Sequence, residues 1–202
     1  MEEGVDVENA YEKHWKEFET GFWQTEMSFG RLRYSRSSIF LNHWLIARTG
    51  EEVVARGVFS RFKQYVDFEA GVSMLELVEH IARASSVYRS FVEGATANNP
   101  INRLQLFAYR SSTLESEVFK PVVLWLFDPE QDPVPQDQVR KALEVLESWL
   151  VRRMLVRAVT NAYNQIAADV VTQLLKGQRQ NAGDVVEGFF AGQTVGKPLL
   201  PR

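Results

Sequence analysis

The chain has 202 residues, 45% of them apolar and 12% aromatic, and 26 acidic against 23 basic side chains leave a net charge of −3. That is ample material for the core of one domain and too apolar for a disordered chain, and the acidic balance gives no support to a free-standing nucleic-acid binder. With no cysteine at all, disulfides and thiolate metal sites are excluded, and a reducing cytoplasm is the expected location.

The first fifteen residues are acidic and hold no apolar stretch of the kind a signal peptide needs. No apolar run approaches the roughly 20 residues of a membrane span, so a soluble chain without membrane contact is expected. From about Val7 to Trp23, the residues Val7, Tyr11, Trp15, Phe18 and Phe22 recur at helical spacing, which predicts one amphipathic helix with Asp6 as its N-cap. Ser28–Ser38 is polar and basic, with Arg31, Arg33 and Arg36, and reads as a loop. A second helix carries Ile39, Phe40, Trp44 and Leu45 and stops at Gly50. Glu51–Tyr65 reads as a third, with Val54, Val58, Phe59 and Phe62 on one side and Gly57 weakening its middle.

Ser73-Met-Leu-Glu76 is a capping box. The helix behind it carries Leu77, Ile81, Ala84, Tyr88 and Phe91. Asn99-Pro100 suits the N-cap and first position of the next helix, which holds Leu104, Phe107 and Tyr109. Val118–Phe127 is strongly apolar, and Pro121 places its first helical turn. Asp128–Pro135, with three prolines and three acids, reads as a rigid exposed loop. A long helix from about Gln136 to Val156 has the stripe Val139, Leu143, Leu146, Leu150 and Met154. After a break near Arg157–Thr160, a further helix carries Tyr163, Ile166, Ala167, Val170 and Leu174 and ends at Gly177. Beyond it, glycines at 183, 188, 192 and 196 and two prolines suggest a linker or severed continuation, with a short helix allowed over Asp184–Phe190. No run alternates at the strand period. The reading is a single all-α domain of about seven to nine helices over residues 1–177, followed by an irregular Gly-rich tail over 178–202.

Several tempting sites fail on spacing. Gly192 and Gly196-Lys197 have three residues between the glycines where a phosphate loop has four, and Pro198 stands in place of its hydroxyl residue. Asp128, Glu130 and Asp132 start like a calcium loop, but Pro133 and Val139 occupy the places of its glycine and glutamate. His14, His43 and His80 fall on three different helices without a metal-binding partner pattern and are expected at helix surfaces or interfaces. No serine has nucleophile-elbow context. Arg153 and Arg157 fall on the apolar stripe of the long helix, and Arg152 points away. A guanidinium on a core face needs a carboxylate or helix-end carbonyls, which makes Arg153 a structural clamp or, alternatively, a phosphate contact. For Arg31, Arg33 and Arg36 the alternatives are a solvated loop and, with Arg152, contact with a DNA backbone.

Ser148-Trp-Leu-Val-Arg-Arg153, followed by Thr160-Asn-Ala-Tyr163-Asn164, resembles the SYLVRR…TxxYN signature of a large bacterial family. That family includes the GmrSD-type modification-dependent restriction endonucleases and related phage-defence nucleases. Trp15 to Phe22, Phe40–Leu45 and Phe59–Tyr65 are similar to the course of its helical region, so the resemblance covers about Tyr11 to Lys176. It makes Trp149, Arg152, Arg153, Thr160, Tyr163 and Asn164 the signature residues. The resemblance implies three parts: a ParB/sulfiredoxin-like domain with an Asp-Gly-Gln-Gln-Arg motif tied to nucleotide hydrolysis, a helical region, and an HNH nuclease. This sequence has no Asp-Gly-Gln-Gln-Arg, and no histidine follows His80. The implied counterpart is the helical part alone, not an enzyme and without a cofactor, joining domains that lie outside it. Arg153, Tyr163 and Asn164 would fix the kink between its last two helices. Two other readings stand beside it: an autonomous helical interaction module, such as a homodimer, and a module touching DNA through Arg31, Arg33, Arg36 and Arg152.

Overall fold

A computed structural model describes residues 8–29, 32–98, 102–158, 160 and 162–194. Helix dominates, as expected. Among the described residues, eight α-helices have seven or more residues: α1 (Arg36–Thr49), α2 (Val58–Phe68), α3 (Met74–Gly94), α4 (Arg103–Thr113), α5 (Lys120–Leu126), α6 (Gln136–Leu155), α7 (Tyr163–Lys176) and α8 (Ala182–Thr194). None of the helices is long and apolar enough to cross a membrane.

The short helix α5 is the centre. Every one of its seven residues is buried, and α1, α3 and α7 pack around it. Its unbroken apolar run, Pro121 to Leu126, suits a helix with protein on all sides. Helix α3 starts at the expected capping box, with both Ser73–Glu76 bonds formed, and buries Leu77, Ile81, Ala84, Tyr88 and Phe91. Helix α1 is capped by Ser35 and stops at Gly50, whose φ of 69° is cheap only for glycine. The stripe of α6 buries Leu143, Leu146 and Leu150 but leaves Met154 exposed.

Four expectations change. The segment Tyr11–Gln24 is not one helix but a π turn (Tyr11–Trp15), a 3-10 turn (Lys16–Glu19) and a separate turn (Gly21–Gln24), with an extended break at Thr20. Asp6 lies outside the described residues. The expected loop over Ser28–Ser38 is instead the second half of an antiparallel pair, β1 (Glu26–Phe29) and β2 (Leu32–Ser35), with Met27 opposite Tyr34 and Ser28 opposite Arg33, leading into α1. Asn99-Pro100 lies outside the described residues, and the cap of α4 is Asn102, which accepts from the Gln105 amide. Only Val58–Phe68 of the third expected helix is α-helical; Val54 and Phe59 are exposed.

The expected tail also changes. Up to Thr194 it is a 3-10 turn (Arg179–Asn181) and then α8, which lies along α6 and buries Ala182, Val186 and Phe190 in the same core. Arg179 donates to the carbonyls of Trp125 (3.0 Å) and Leu126 (3.2 Å) and stacks over the Trp125 ring at 4.5 Å, closing the open end of α5. The helical domain therefore does not end at residue 177. Gly183 explains one glycine of the segment: a Cβ there would lie 2.6 Å from the Gln138 carbonyl oxygen. Gly183→Ala should cost about 1–3 kcal/mol by overpacking, whereas Gly188→Ala, which meets open space, should gain about 0.5–1 kcal/mol. Thermal unfolding of the two variants reads the difference, and equal melting points would argue against the α6–α8 contact.

Candidate functional site

The signature segment 148–164 turns at one corner of the molecule. Helix α6 ends at Leu155, Arg157 adopts φ 49°, and α7 begins at Tyr163. Beside the turn lies a cleft of about 650 Å³. Its walls come from the end of α6, the 157–160 turn, the start of α7, the link before α5, α1 and β1. Arg153, Thr160, Tyr163 and Asn164 of the signature line it. Trp149 stands behind them, its ring 4.9 Å from that of Tyr163. Asn161 lies outside the described residues.

Arg153 meets aromatic rings on both helices. Its guanidinium lies 5.5 Å from the Trp149 ring and 5.5 Å from the Tyr163 ring, and its Nε donates to the Tyr163 hydroxyl at 3.4 Å. Trp149 in turn touches Phe119 and Phe190. The cation thus joins α6 to α7, and the rings join both to α5 and α8. Arg152 points away, as expected, and donates to the Ser148 carbonyl at 3.2 Å.

Of the basic set, the described members Arg33, Arg36 and Arg152 each meet a different partner. Arg31 lies outside the described residues. Arg36 is half-buried: its Nη1 donates to the Phe22 carbonyl at 2.8 Å and its guanidinium covers the Phe22 ring at 4.2 Å. Arg33 is exposed and faces Glu26 at 3.5 Å. The acids of 128–132 are not simply solvated either. Asp128 holds Arg48 at 2.8 Å, and Glu130 bonds Arg83 and lies 3.1 Å from His80. The Arg83 hydrogen bond holds the Glu130 carboxyl below its usual range. Among the described residues no three His, Asp or Glu side chains are grouped to hold a metal ion.

Three cleft residues, Glu115, Glu117 and Lys120, were not singled out by sequence reasoning, and a fourth, His43, was weighed only as one of three separate histidines. His43, expected at a helix surface or interface, is 8% exposed, and burial, aided by the Lys120 charge, pushes its pKa down to about 3. It is a neutral imidazole at the floor of the cleft. Lys120 is 2% exposed and donates to Glu117 at 2.6 Å and to the Tyr88 hydroxyl at 3.4 Å, lying over the Tyr88 ring at 4.9 Å. Burial raises the Tyr88 hydroxyl pKa. Glu115 has φ 53°. It and Arg157 are the only non-glycine residues with positive φ among those described, and both line this cleft. The signal for Lys120 is its place at the head of an all-apolar run, where a cation must go inward with the helix. Glu117→Gln should cost about 2–3 kcal/mol, less than the 3–5 of a wholly enclosed pair, because Glu117 keeps some solvent contact. Lys120→Met should be near neutral by the same argument. Urea titrations of both variants decide this, and similar losses would mean that the ammonium is not compensated by Glu117.

The cleft thus combines arginine side chains with a buried lysine paired to Glu117 and a neutral imidazole. No family model, curated protein or solved structure matches the chain.

Proposed function

We propose that the chain is the helical middle part of a GmrSD-like phage-defence restriction endonuclease. In this reading it acts as a connector, not an enzyme, and sets the relative positions of a ParB/sulfiredoxin-like nucleotide-dependent domain and an HNH nuclease in flanking sequence. The observation that supports this most is the interlocked corner. Trp149, Arg153 and Tyr163 tie two helices together through a tilted ring pair and cation–ring contacts, as a joint of fixed angle requires. Beside it, Val151, Met154, Leu155 and Val156 are all exposed, an apolar surface suited to a neighbouring domain. Translation of the intact gene tests the reading. An Asp-Gly-Gln-Gln-Arg segment before this region and an HNH segment after it are expected; absence of both overturns it.

The same exposed run favours a second reading, an autonomous dimerisation module. Light scattering at high protein concentration would then give twice the chain mass, and a clean monomer removes that reading.

A further inference from the structure

We propose that the outer face of α6, with the groove it forms against α4, pairs antiparallel with the same face of a second copy of this chain. Ser148 meets Ser148, and Glu144 of each copy stands level with the second copy's Arg152. The inference rests on the dimerisation reading above and gives it a surface and a register.

The groove, about 460 Å³, lies between Tyr109, Thr113 and Leu114 of α4 and Glu144, Ser148 and Val151 of α6. Along α6, Glu144, Ser148, Val151 and Leu155 follow at steps of four, three and four, which sets them on one face. All four are exposed, and so is Tyr109. The face is therefore an apolar ridge, Val151 and Leu155, running beside a groove, and a surface that carries both can fit itself.

Charge identifies the occupant. The charges that α6 turns toward its neighbours are matched within the chain. Lys141 meets Asp184 and Glu187 of α8, each at 2.6 Å, and Glu147 meets Arg103 at 2.7 Å and Arg110 at 2.9 Å from α4. On the outer face the pattern changes. Glu144 pairs with no cation among the described residues, and Arg152 bonds only the Ser148 carbonyl, at 3.2 Å. The two stand four residues either side of Ser148, about 12 Å apart along the helix axis. A twofold axis at Ser148 that reverses the helix brings each acid level with the other copy's arginine, twice over. A parallel pair would set glutamate against glutamate and arginine against arginine. The face is thus complementary to itself in one orientation and repulsive in the other.

Ser148 at the axis is small, so the helices can approach and the long Arg152 side chain can reach across it. Val151 of each copy then enters the other's groove, with Leu155 packing at its edge. Asp137 and Arg140 fall beyond the end of the second copy's helix in this register and take no part. A contact of about three helical turns per copy is at the small end of specific interfaces, so association in the micromolar range is expected.

Sedimentation equilibrium of the 202-residue chain at low salt, over about 5 to 500 µM, tests this. Glu144→Arg and Arg152→Glu should each weaken dimerisation about tenfold or more, since each change turns two attractions into two repulsions. The double variant should regain the parent's dissociation constant to within about threefold. Both residues are exposed, so all three variants should keep the parent's melting temperature. A Leu75→Asp control, at an exposed residue near the start of α3, should dimerise as the parent does. A monomer at every concentration overturns both this proposal and the dimerisation reading. A dimer that survives both single reversals overturns this pairing and leaves that reading standing. A dimer lost in both single variants and not regained in the double overturns the antiparallel register.

Discussion

Trp23→Ala is expected to destabilise the protein by about 3–5 kcal/mol, the usual cost of deleting a large aromatic side chain from a packed core. Trp23 is fully buried, and its ring lies 4.9 Å from Phe18, 5.2 Å from Phe40 and 5.8 Å from Tyr88. These rings come from the N-terminal turns, α1 and α3, so one indole holds three parts of the chain together. The hole left by alanine cannot close easily, since Phe40 and Tyr88 are themselves buried and fixed by each other at 5.2 Å. Chemical denaturation followed by far-ultraviolet dichroism measures the loss. Tyr11→Ala, at a partly exposed ring, serves as the control and should change stability by about 0.5 kcal/mol or less. A loss for Trp23→Ala no larger than that of the control would mean that the N-terminal turns do not dock as described.

Trp23 also shows where helical spacing misleads. The recurrence from Tyr11 to Phe22 fits one stripe, yet the two rings that enter the core are Phe18 and Trp23, five positions apart. The chain reaches that spacing by breaking at Thr20, with the preceding turns wound as π and 3-10. Phe22, assigned to the core stripe, instead receives Arg36 at 4.2 Å and Arg89 at 4.7 Å on its ring. The helices that were legible, α3, α6 and α7, are long, carry clear stop and start residues, and bury one face. Local sequence therefore determines them with little help from the rest of the chain. The β1–β2 pair was illegible because four-residue strands with only one or two apolar side chains each carry almost no period-two signal. Gly30 between the two runs was the available hint. The glycines after 177 suggest a linker, but Gly183 is there because α8 runs close to the backbone of α6. Composition alone cannot tell a flexible glycine from one required by a close approach.

The candidate site divides in the same way. Arg153, Tyr163 and the turn between them lie within eleven residues, so their meeting at a corner could be read from the helix break. His43, Glu115, Glu117 and Lys120 reach the same cleft from α1, from the link before α5 and from the first residue of α5. Their convergence depends on tertiary packing, which a single sequence does not display.

Burial of His43 gives the second large effect, a loss of stability in mild acid. In the folded protein its pKa is pushed down to about 3 from the ordinary 6.5, first by burial and then by the Lys120 charge. The unfolded chain therefore takes up a proton near pH 6.5 that the folded chain refuses until near pH 3. Stability is whole above the unfolded value and drains away as pH falls toward the folded one. At about 1.4 kcal/mol per pH unit, the fall from 6.5 to pH 5 removes about 2 kcal/mol, with more lost below that. Carboxylates held low in the folded state, such as Glu76, Glu130 and Asp184, also destabilise in acid. Their share begins only near the ordinary carboxylate range, so the window between about pH 6.5 and 5 isolates the imidazole. Denaturation midpoints across that window should slope downward for the parent and flatten for His43→Gln, which cannot take up the proton, whatever its stability at pH 7. Parallel slopes would show that His43 titrates normally in the folded protein, and the floor of the cleft would then be charged rather than neutral.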